Sequence, residues 1–546
     1  MTSLYTSDDQ SSSLNEKIPE KATHVHSLEK IQETHVEGNV QLLDAQGKVR
    51  LVPTPTSDPR DPLNWSTWRK VGVYVNVVFF STMSLSVIGG FGALSPFFFG
   101  LYVPQGVDPN KVARLITWPS LLTGLGNWAF LPLSLCLGRR PIFLIASLML
   151  VASSAWAAKS GTSFDSHFAA RLVQGFSAGA TESLLPLIIT DMTYVHQRAT
   201  AFGIYWTLQN VFTSILNTAS TYEAQNLSWQ WYYWIFTILS AIGFVGSFFL
   251  LPESKFDRPA FAVDGQLTRV DEYGNMVVLS DEEAKQASII ADQESKGTRE
   301  QIPFIQTLKP FSKPERNSLK IILRAYVDMA KALADPAILW ALGASAAALG
   351  TNIGISLSFG HILEEDYGWA HANTGLIYLG SIPAGILSFI VSGWLGDKIS
   401  MYFTRRNAGV HLPEHRLPAM IFPCITGFLA ALMYGLCAEH RDKVHWFAIV
   451  FAFAWTLFHF VSVLITTTAY AVESRSHHAG AALVMVVGGK NLISFGTATA
   501  IVPLANSGRY AYGYSILAGS MFGWILLGVP LYFLMPRYRA WLAKRK

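Results

Sequence analysis

The sequence predicts an all-α integral membrane protein with twelve transmembrane helices arranged as two six-helix halves. Three observations carry that prediction. Of 546 residues, 51% are hydrophobic and only 14% are charged. A soluble domain carries about 25% charged residues, so too little polar surface remains to coat several soluble cores. Apolar runs long enough for a hydrocarbon core about 30 Å thick, at about 1.5 Å rise per residue, recur twelve times. A hydrophilic stretch interrupts them after the sixth.

The elements follow in chain order. Residues 1–70 are expected to be a disordered tail, since Met1 to Pro62 is rich in Ser, Thr, Asp, Glu, Gln and His and nearly free of aromatic side chains. No apolar segment stands near the start, so the first hydrophobic run, from about Val71, is expected to serve as the insertion signal. Spans near 71–94, 112–134, 142–160, 168–190, 200–222 and 231–251 make a first bundle over 71–252. Spans near 336–360, 373–395, 417–437, 445–470, 479–503 and 512–535 make a second over 335–536. The central loop, 253–334, holds acidic stretches such as Asp281-Glu282-Glu283 and no span. Near its end Ile321, Ile322, Leu323, Tyr326, Met329 and Leu333 stand at helical spacing beside Lys320, Arg324 and Lys331. An amphipathic helix on the membrane surface and a solvated linker helix both fit that pattern. Residues 537–546 are a basic terminus.

Lys and Arg placement sets the expected orientation. One set of loops holds Arg69, Lys70, Arg139, Arg140, Arg198, Lys398, Arg405, Arg406, Arg416, Arg475 and the basic end; the other holds Lys111, Arg114, Lys159, Arg441, Lys443 and Arg509. The heavier set, both termini and the central loop are therefore expected in the cytoplasm. Asn226-Leu227-Ser228 then lies outside as a glycosylation candidate at Asn226. Net charge is only +4 and spread out, which argues against nucleic acid. Cys136, Cys424 and Cys437 lie in apolar runs and offer neither metal spacing nor a disulfide framework. No Walker-type loop, zinc spacing or nucleophile constellation occurs. An enzyme and an ATP-driven pump are thus excluded, and no cofactor is expected.

Residues that cost energy in lipid mark the candidate site. In the fourth span Arg171, Gln174, Ala178 and Glu182 share one stripe, Arg171 and Glu182 being about 20° apart on the helix wheel and about 16 Å apart along it. Glu182 is a candidate proton or cation site with Arg171 modulating it; the alternative is an Arg171 at the outer interface and a Glu182 paired with a neighbouring helix. In the fifth span Asn210 and Asn217 share a face, suited to a polar substrate or to another helix. The tenth span offers His459 and Tyr470, with His459 either a packing group or a proton site; Glu473 near its end reads as a partner of Arg475. In the eleventh span Lys490 needs a carboxylate, a cavity or a changed protonation state, and Asn491 follows it. Gln174, Asn210, Asn217, His459, Tyr470, Lys490 and Asn491 are the substrate-cavity candidates.

Several motifs in this order resemble the major facilitator superfamily, specifically its fungal drug:proton antiporter-like branch. They are Asp58-Pro59-Arg60-Asp61-Pro62-Leu63-Asn64-Trp65-Ser66 ahead of the first span, Gly138-Arg139-Arg140-Pro141 after the second and Arg171-Leu172-Val173-Gln174-Gly175 in the fourth. Pro252-Glu253-Ser254 with Phe256 and Arg258 follows the sixth. The second half adds Gly393-Trp394-Leu395-Gly396-Asp397-Lys398, Arg405-Arg406-Asn407, Pro413-Glu414-His415-Arg416-Leu417 and Lys490-Asn491. The resemblance covers about Asp58 to Pro536 and implies the major facilitator fold. It also implies a conformational latch at one end, carried by Gly393, Asp397 and Lys398 in the second half, with Arg475 or a helix N-terminus as the expected partner of Asp397. In the first half the latch motif is eroded, Leu131, Leu135 and Cys136 standing at its Gly, Asp and basic positions. Arg139 and Arg140 remain, and the latch there is expected to be weaker or to be rebuilt from Asp191 and Arg198. The fifth span departs too: Thr207 to Thr221 contains neither Gly nor Pro, whereas antiporters of the family carry a Gly-Pro motif associated with export.

The resemblance implies a secondary active transporter that moves a small organic substrate by alternating access in the bilayer. Proton-coupled efflux of a drug-like compound or fungal secondary metabolite leads. Proton-coupled uptake of an organic cation or nutrient such as a polyamine is the alternative that the missing Gly-Pro motif favours, and a transporter-like nutrient sensor is the third reading. A monomer in the plasma membrane is expected, with the vacuolar membrane as the other address.

Overall fold

In the computed structural model, which describes residues 40–41, 58, 60–194, 197–256, 261–263, 266–270, 276–278, 318–407, 409–474, 479–506 and 508–543, eleven helices are long and apolar enough to cross a membrane. Span 1 (Thr67–Gln105), span 2 (Pro109–Leu137), span 3 (Arg139–Lys159), span 4 (Phe164–Asp191) and span 6 (Trp229–Leu250) belong to the first half. Span 7 (Pro336–Asp366), span 8 (His371–Arg406), span 9 (Pro413–Glu439), span 10 (Phe447–Ser474), span 11 (Gly480–Ala500) and span 12 (Tyr510–Leu542) make the second. Between spans 4 and 6 runs a twelfth long helix, span 5 (Arg198–Asn226). Gln209, Asn210, Thr213, Ser214, Asn217 and Thr218 lower its hydropathy, and most of them face the interior rather than lipid.

Local chemistry explains where the helices start. Asp108 caps Asn110 N ahead of Pro109, and Asp335 caps Ala337 N ahead of Pro336, a side-chain acceptor followed by a residue with no N–H to satisfy. Span 1 is two helices, Thr67–Gly89 and Phe91–Tyr102, broken at Gly90. The carbonyls at the break find donors elsewhere: Arg171 donates to Val87 O and Ile88 O, and Tyr232 to Ser86 O and Val87 O. Tyr378 of the second half donates to Gly89 O at 2.9 Å. A break in lipid needs such partners, because bare carbonyls there cost several kcal/mol each.

Glycines set the closest seams. A Cβ on Gly126 would lie 2.1 Å from Phe176 O, and one on Gly179 2.4 Å from Asn127 N, so spans 2 and 4 touch backbone to backbone. Between the halves, Gly124 of span 2 meets Gly488 of span 11 (3.0 Å from its Cβ position to Gly488 O), and Gly375 of span 8 meets Thr221 of span 5. The largest buried apolar cluster fills the first half, with Phe91, Phe98, Leu115, Phe143, Tyr205 and Tyr233 among its members.

Three features depart from a purely helical chain with a featureless tail and loop. Residues ahead of span 1 are folded: Asp58 accepts from Arg60, Asp61 from Leu63 N, and Asn64 donates to Asp58 O. Strand β1 (Val40–Gln41) pairs antiparallel with β5 (Val410–His411), the loop between spans 8 and 9. In the central loop β2 (Phe261–Val263), β3 (Gln266–Val270) and β4 (Met276–Val278) form an antiparallel meander. The other residues of the tail, including 1–39, lie outside the described residues. The surface helix Ser318–Leu333 lies against spans 2 and 11. It buries Ala325, Met329 and Ala332 and exposes Leu319, Leu323 and Val327 beside Arg324, the apolar outer face that an interfacial helix has.

Candidate functional site

A cavity of about 230 Å³ lies between the halves. Spans 1, 2, 4 and 5 line it from the first half, and spans 7, 8, 10 and 11 from the second. Its apolar wall includes Trp206, Tyr378, Phe453 and Phe460; its polar wall includes Gln209, Asn210, Asn217, Asn352 and Asn491. Among the described residues Glu182 is the one charged residue of its lining.

Span 4 delivers Glu182 to the wall, and span 11 delivers what holds it. Lys490 donates to Oε1 and Asn491 to Oε2 of the same carboxylate. Lys490 is 0% and Glu182 6% exposed. The lysine also donates to Val487 O at 3.0 Å. Gly488 and Gly489 just before it let span 11 close on span 2 and on Leu342 of span 7. This pair therefore joins the two halves at the cavity. Two buried charges are tolerable there only because both carboxylate oxygens are used.

Hydrogen bonds also join the halves at both ends. Towards the end that carries Arg139 and Arg416, Thr200 of span 5 donates to Asp397 Oδ2 at 3.0 Å. Towards the opposite end Thr221 donates to Ala372 O at 2.6 Å, Tyr222 to Asn373 Oδ1 at 2.7 Å, and Tyr378 to Gly89 O. Contacts between the halves thus lie on both sides of the cavity.

The basic end holds two charge networks. In the second half Arg416 bridges Asp397 at 2.5 Å and Glu473 at 2.7 Å, and His411 Nε2 lies 3.0 Å from Glu473. The partner of Asp397 is thus Arg416. Arg475, the partner expected from sequence, lies outside the described residues. Gly393 approaches Gly203 of span 5, and Lys398 Nζ sits 3.6 Å above the Trp394 ring. In the first half Arg139 Nε lies 3.2 Å from Asp191, and Ser254 donates to Asp191 at 2.8 Å. Glu253 accepts from Arg139 N and Arg140 N, a carboxylate at the N-terminus of span 3. The Arg140 side chain donates to Phe248 O. Arg198 opens span 5, and its side chain lies outside the described residues.

Of the cavity candidates, Asn210, Asn217 and Asn491 line the wall. The structure places Gln174, His459, Tyr470 and Lys490 elsewhere, each for a local reason. Gln174 accepts from Arg171 and faces Ser154, inside the first half. His459 Nδ1 faces Pro423 O at 2.9 Å, and its ring fills the space beside Gly427, so it packs span 10 on span 9. Tyr470 donates to Glu414, which is itself paired with Arg539. Lys490 stands behind Glu182. Arg171 is buried at the span 1 break, donates to Leu115 O as well, and lies 4.4 Å from the Phe91 ring. Asn226 is exposed at the end of span 5. Sequence reading missed His167, held between Tyr102 and Tyr233 at 2.9 and 2.7 Å. Its place four residues before Arg171, on the same stripe, was the available signal. Arg416 and Asn352 were missed as well.

Twelve long helices in two halves, with a cavity between them, have the architecture of a multi-pass membrane carrier. The chain belongs to the Major Facilitator Superfamily, whose family model matches residues 75–498. It is similar to the MFS transporter cpaT of Aspergillus oryzae, 22% identical over 87% of each chain. It is also similar to the MFS-type transporter penM of Penicillium rubens, 22% identical over 93% of this chain and 92% of that one. Among solved structures it resembles the proton:xylose symporter XylE, with a TM-score of 0.56 and 10% identity over 87% of this chain and 97% of that one. A peptide-bound POT family transporter gives a TM-score of 0.57 at 12% identity over 85% and 96%. At such identities these two structures establish the fold alone. The family is one of transporters, not enzymes.

Proposed function

We propose that this protein moves a small organic molecule across the membrane by alternating access, with the Glu182–Lys490 pair as its proton-coupling element. The observation that carries the proposal is that this pair belongs to both halves and borders the cavity. When the halves part, Glu182 leaves Lys490 behind. A buried carboxylate without a partner is costly and takes up a proton; closing the halves returns it to the ammonium and releases the proton. One proton per cycle is thereby tied to the motion that exposes the cavity.

The bundle halves 71–252 and 335–536 are the moving bodies in this reading. Asp397 and Thr200 serve as a latch at the end where Lys and Arg concentrate; that concentration supports a cytoplasmic face holding both termini. Efflux is the leading direction, supported by the Arg171–Gly175 motif. Uptake has one specific observation in its favour, the absence of Gly and Pro from Thr207 to Thr221.

The test compares small molecules inside and outside cells with and without the protein, by untargeted mass spectrometry, alongside Glu182→Gln. A compound that accumulates inside without the protein and leaves with it establishes export. One that enters only with the protein establishes uptake. Wild-type behaviour of Glu182→Gln overturns the coupling assignment.

A further inference from the structure

Among the described residues the cavity wall carries no charge that a substrate can use. Glu182, the one charged residue described in the lining, has both carboxylate oxygens occupied, by Lys490 and Asn491. A cation entering would have to displace Lys490, which would leave a fully buried ammonium unpaired. An anion could not reach Lys490, which is 0% exposed behind the carboxylate. Either ion would lose its water and gain no partner.

What the wall does offer is neutral amide. Asn210 and Asn217 each bury Oδ1 against protein, and neither side chain has a hydrogen-bond partner among the described residues. The Asn217 Oδ1 lies against Gly90 and the Asn210 Oδ1 against Gly385. Their NH2 groups are left as donors at the cavity. Unlike the two oxygens, which are closed off by protein, these nitrogens can each donate to a ligand that supplies an acceptor. The same wall carries the rings of Tyr378, Phe453 and Phe460.

We propose that the carried molecule is electrically neutral, with an aromatic or otherwise apolar body and hydrogen-bond acceptors such as carbonyl or sulfonyl oxygens that meet Asn210 and Asn217. The inference rests on the transport reading above and narrows its substrate to a class that excludes organic cations.

Three fluorescent probes on one scaffold test it: dansyl amide (neutral), dansylcadaverine (cationic) and dansylglycine (anionic). Binding to the full chain in lipid nanodiscs is read from probe emission and from quenching of tryptophan, Trp206 being in the wall. Dansyl amide is expected to bind at least about tenfold more tightly than the other two, and about fivefold more weakly to Asn217→Leu or Asn210→Leu. Lys490→Met frees the Glu182 carboxylate, so at mildly alkaline pH it should reverse the order in favour of dansylcadaverine; Glu182→Gln/Lys490→Met should cancel that reversal. Preference of the wild type for either charged probe overturns the proposal, as does a Lys490→Met variant that gains no affinity for the cation. Binding is measured without a proton gradient. A neutral preference without proton-driven transport would therefore sink the coupling reading alone, and a cation preference with such transport would sink this one alone.

Discussion

The ion pair at the cavity and the network at the basic end use the same residue types but connect different things. Glu182 and Lys490 come from opposite halves and share no neighbour in sequence. Asp397, Arg416, Glu473 and His411 all belong to the second half; among the described residues of the first bundle the Thr200 hydroxyl reaches them, and Val40 of the tail pairs with His411 through the backbone. Charges fixed within one body keep their partners whatever the other body does. Charges shared between bodies must be remade in every cycle. The first arrangement sets a shape, and the second can tie motion to protonation.

Single changes at the shared pair should have the largest effect. Lys490→Met leaves a buried carboxylate alone and should cost about 3–5 kcal/mol of stability, read as a lowered thermal midpoint in detergent. Glu182→Gln/Lys490→Met should recover most of that loss yet show no response of transport to an imposed pH gradient. A double variant that still responds would move coupling to another residue. Next comes Arg416→Ala, which strips Asp397 and Glu473 of their shared partner and should cost about 2–3 kcal/mol. Because the network lies within one half, this variant should keep its pH-gradient response at whatever activity remains.

Glycine seams extend the comparison. Gly126→Ala drives a methyl into Phe176 O inside the first half and should destabilise by at least about 1–3 kcal/mol. Gly92→Ala, whose Cβ would lie 3.0 Å from Ser356 O across the halves, should slow transport more than it lowers the thermal midpoint. The smallest effect is expected from Tyr222→Phe. It removes one exposed bond between the halves, to Asn373, worth about 0.5–1.5 kcal/mol at most. A large loss of transport there would make the contacts at that end, not the central pair, the controlling ones.

The twelve spans were legible because apolar runs repeat, and even the polar span 5 stands between clear neighbours. The site was legible residue by residue but not as a constellation. Glu182 and Lys490 each stood out as costly in lipid, yet 308 positions separate them, and no periodicity links such distant residues. His459 and Tyr470 misled for the converse reason: a polar group on a helix looks the same from sequence whether it meets a cavity, Pro423 O or Glu414. Arg416 was visible as a loop charge and as part of a motif but not as the partner of Asp397, since the chain turn that brings the two together is set by packing between spans 8 and 9. The unpartnered amides of Asn210 and Asn217 were expected at a shared face, but their lack of partners exists only once every neighbour is in place.

The pairing of β1 with β5 bears on how the protein is made. Val40 emerges from the ribosome about 370 residues ahead of His411, its partner in the ladder. At about 5–20 residues per second that is an interval on the order of 20–70 s. During that time six helices must enter the bilayer and two more must follow before the tail has anything to bind. Formation of this short ladder is therefore a late assembly event, and it marks a chain whose second half has begun to fold beside its first.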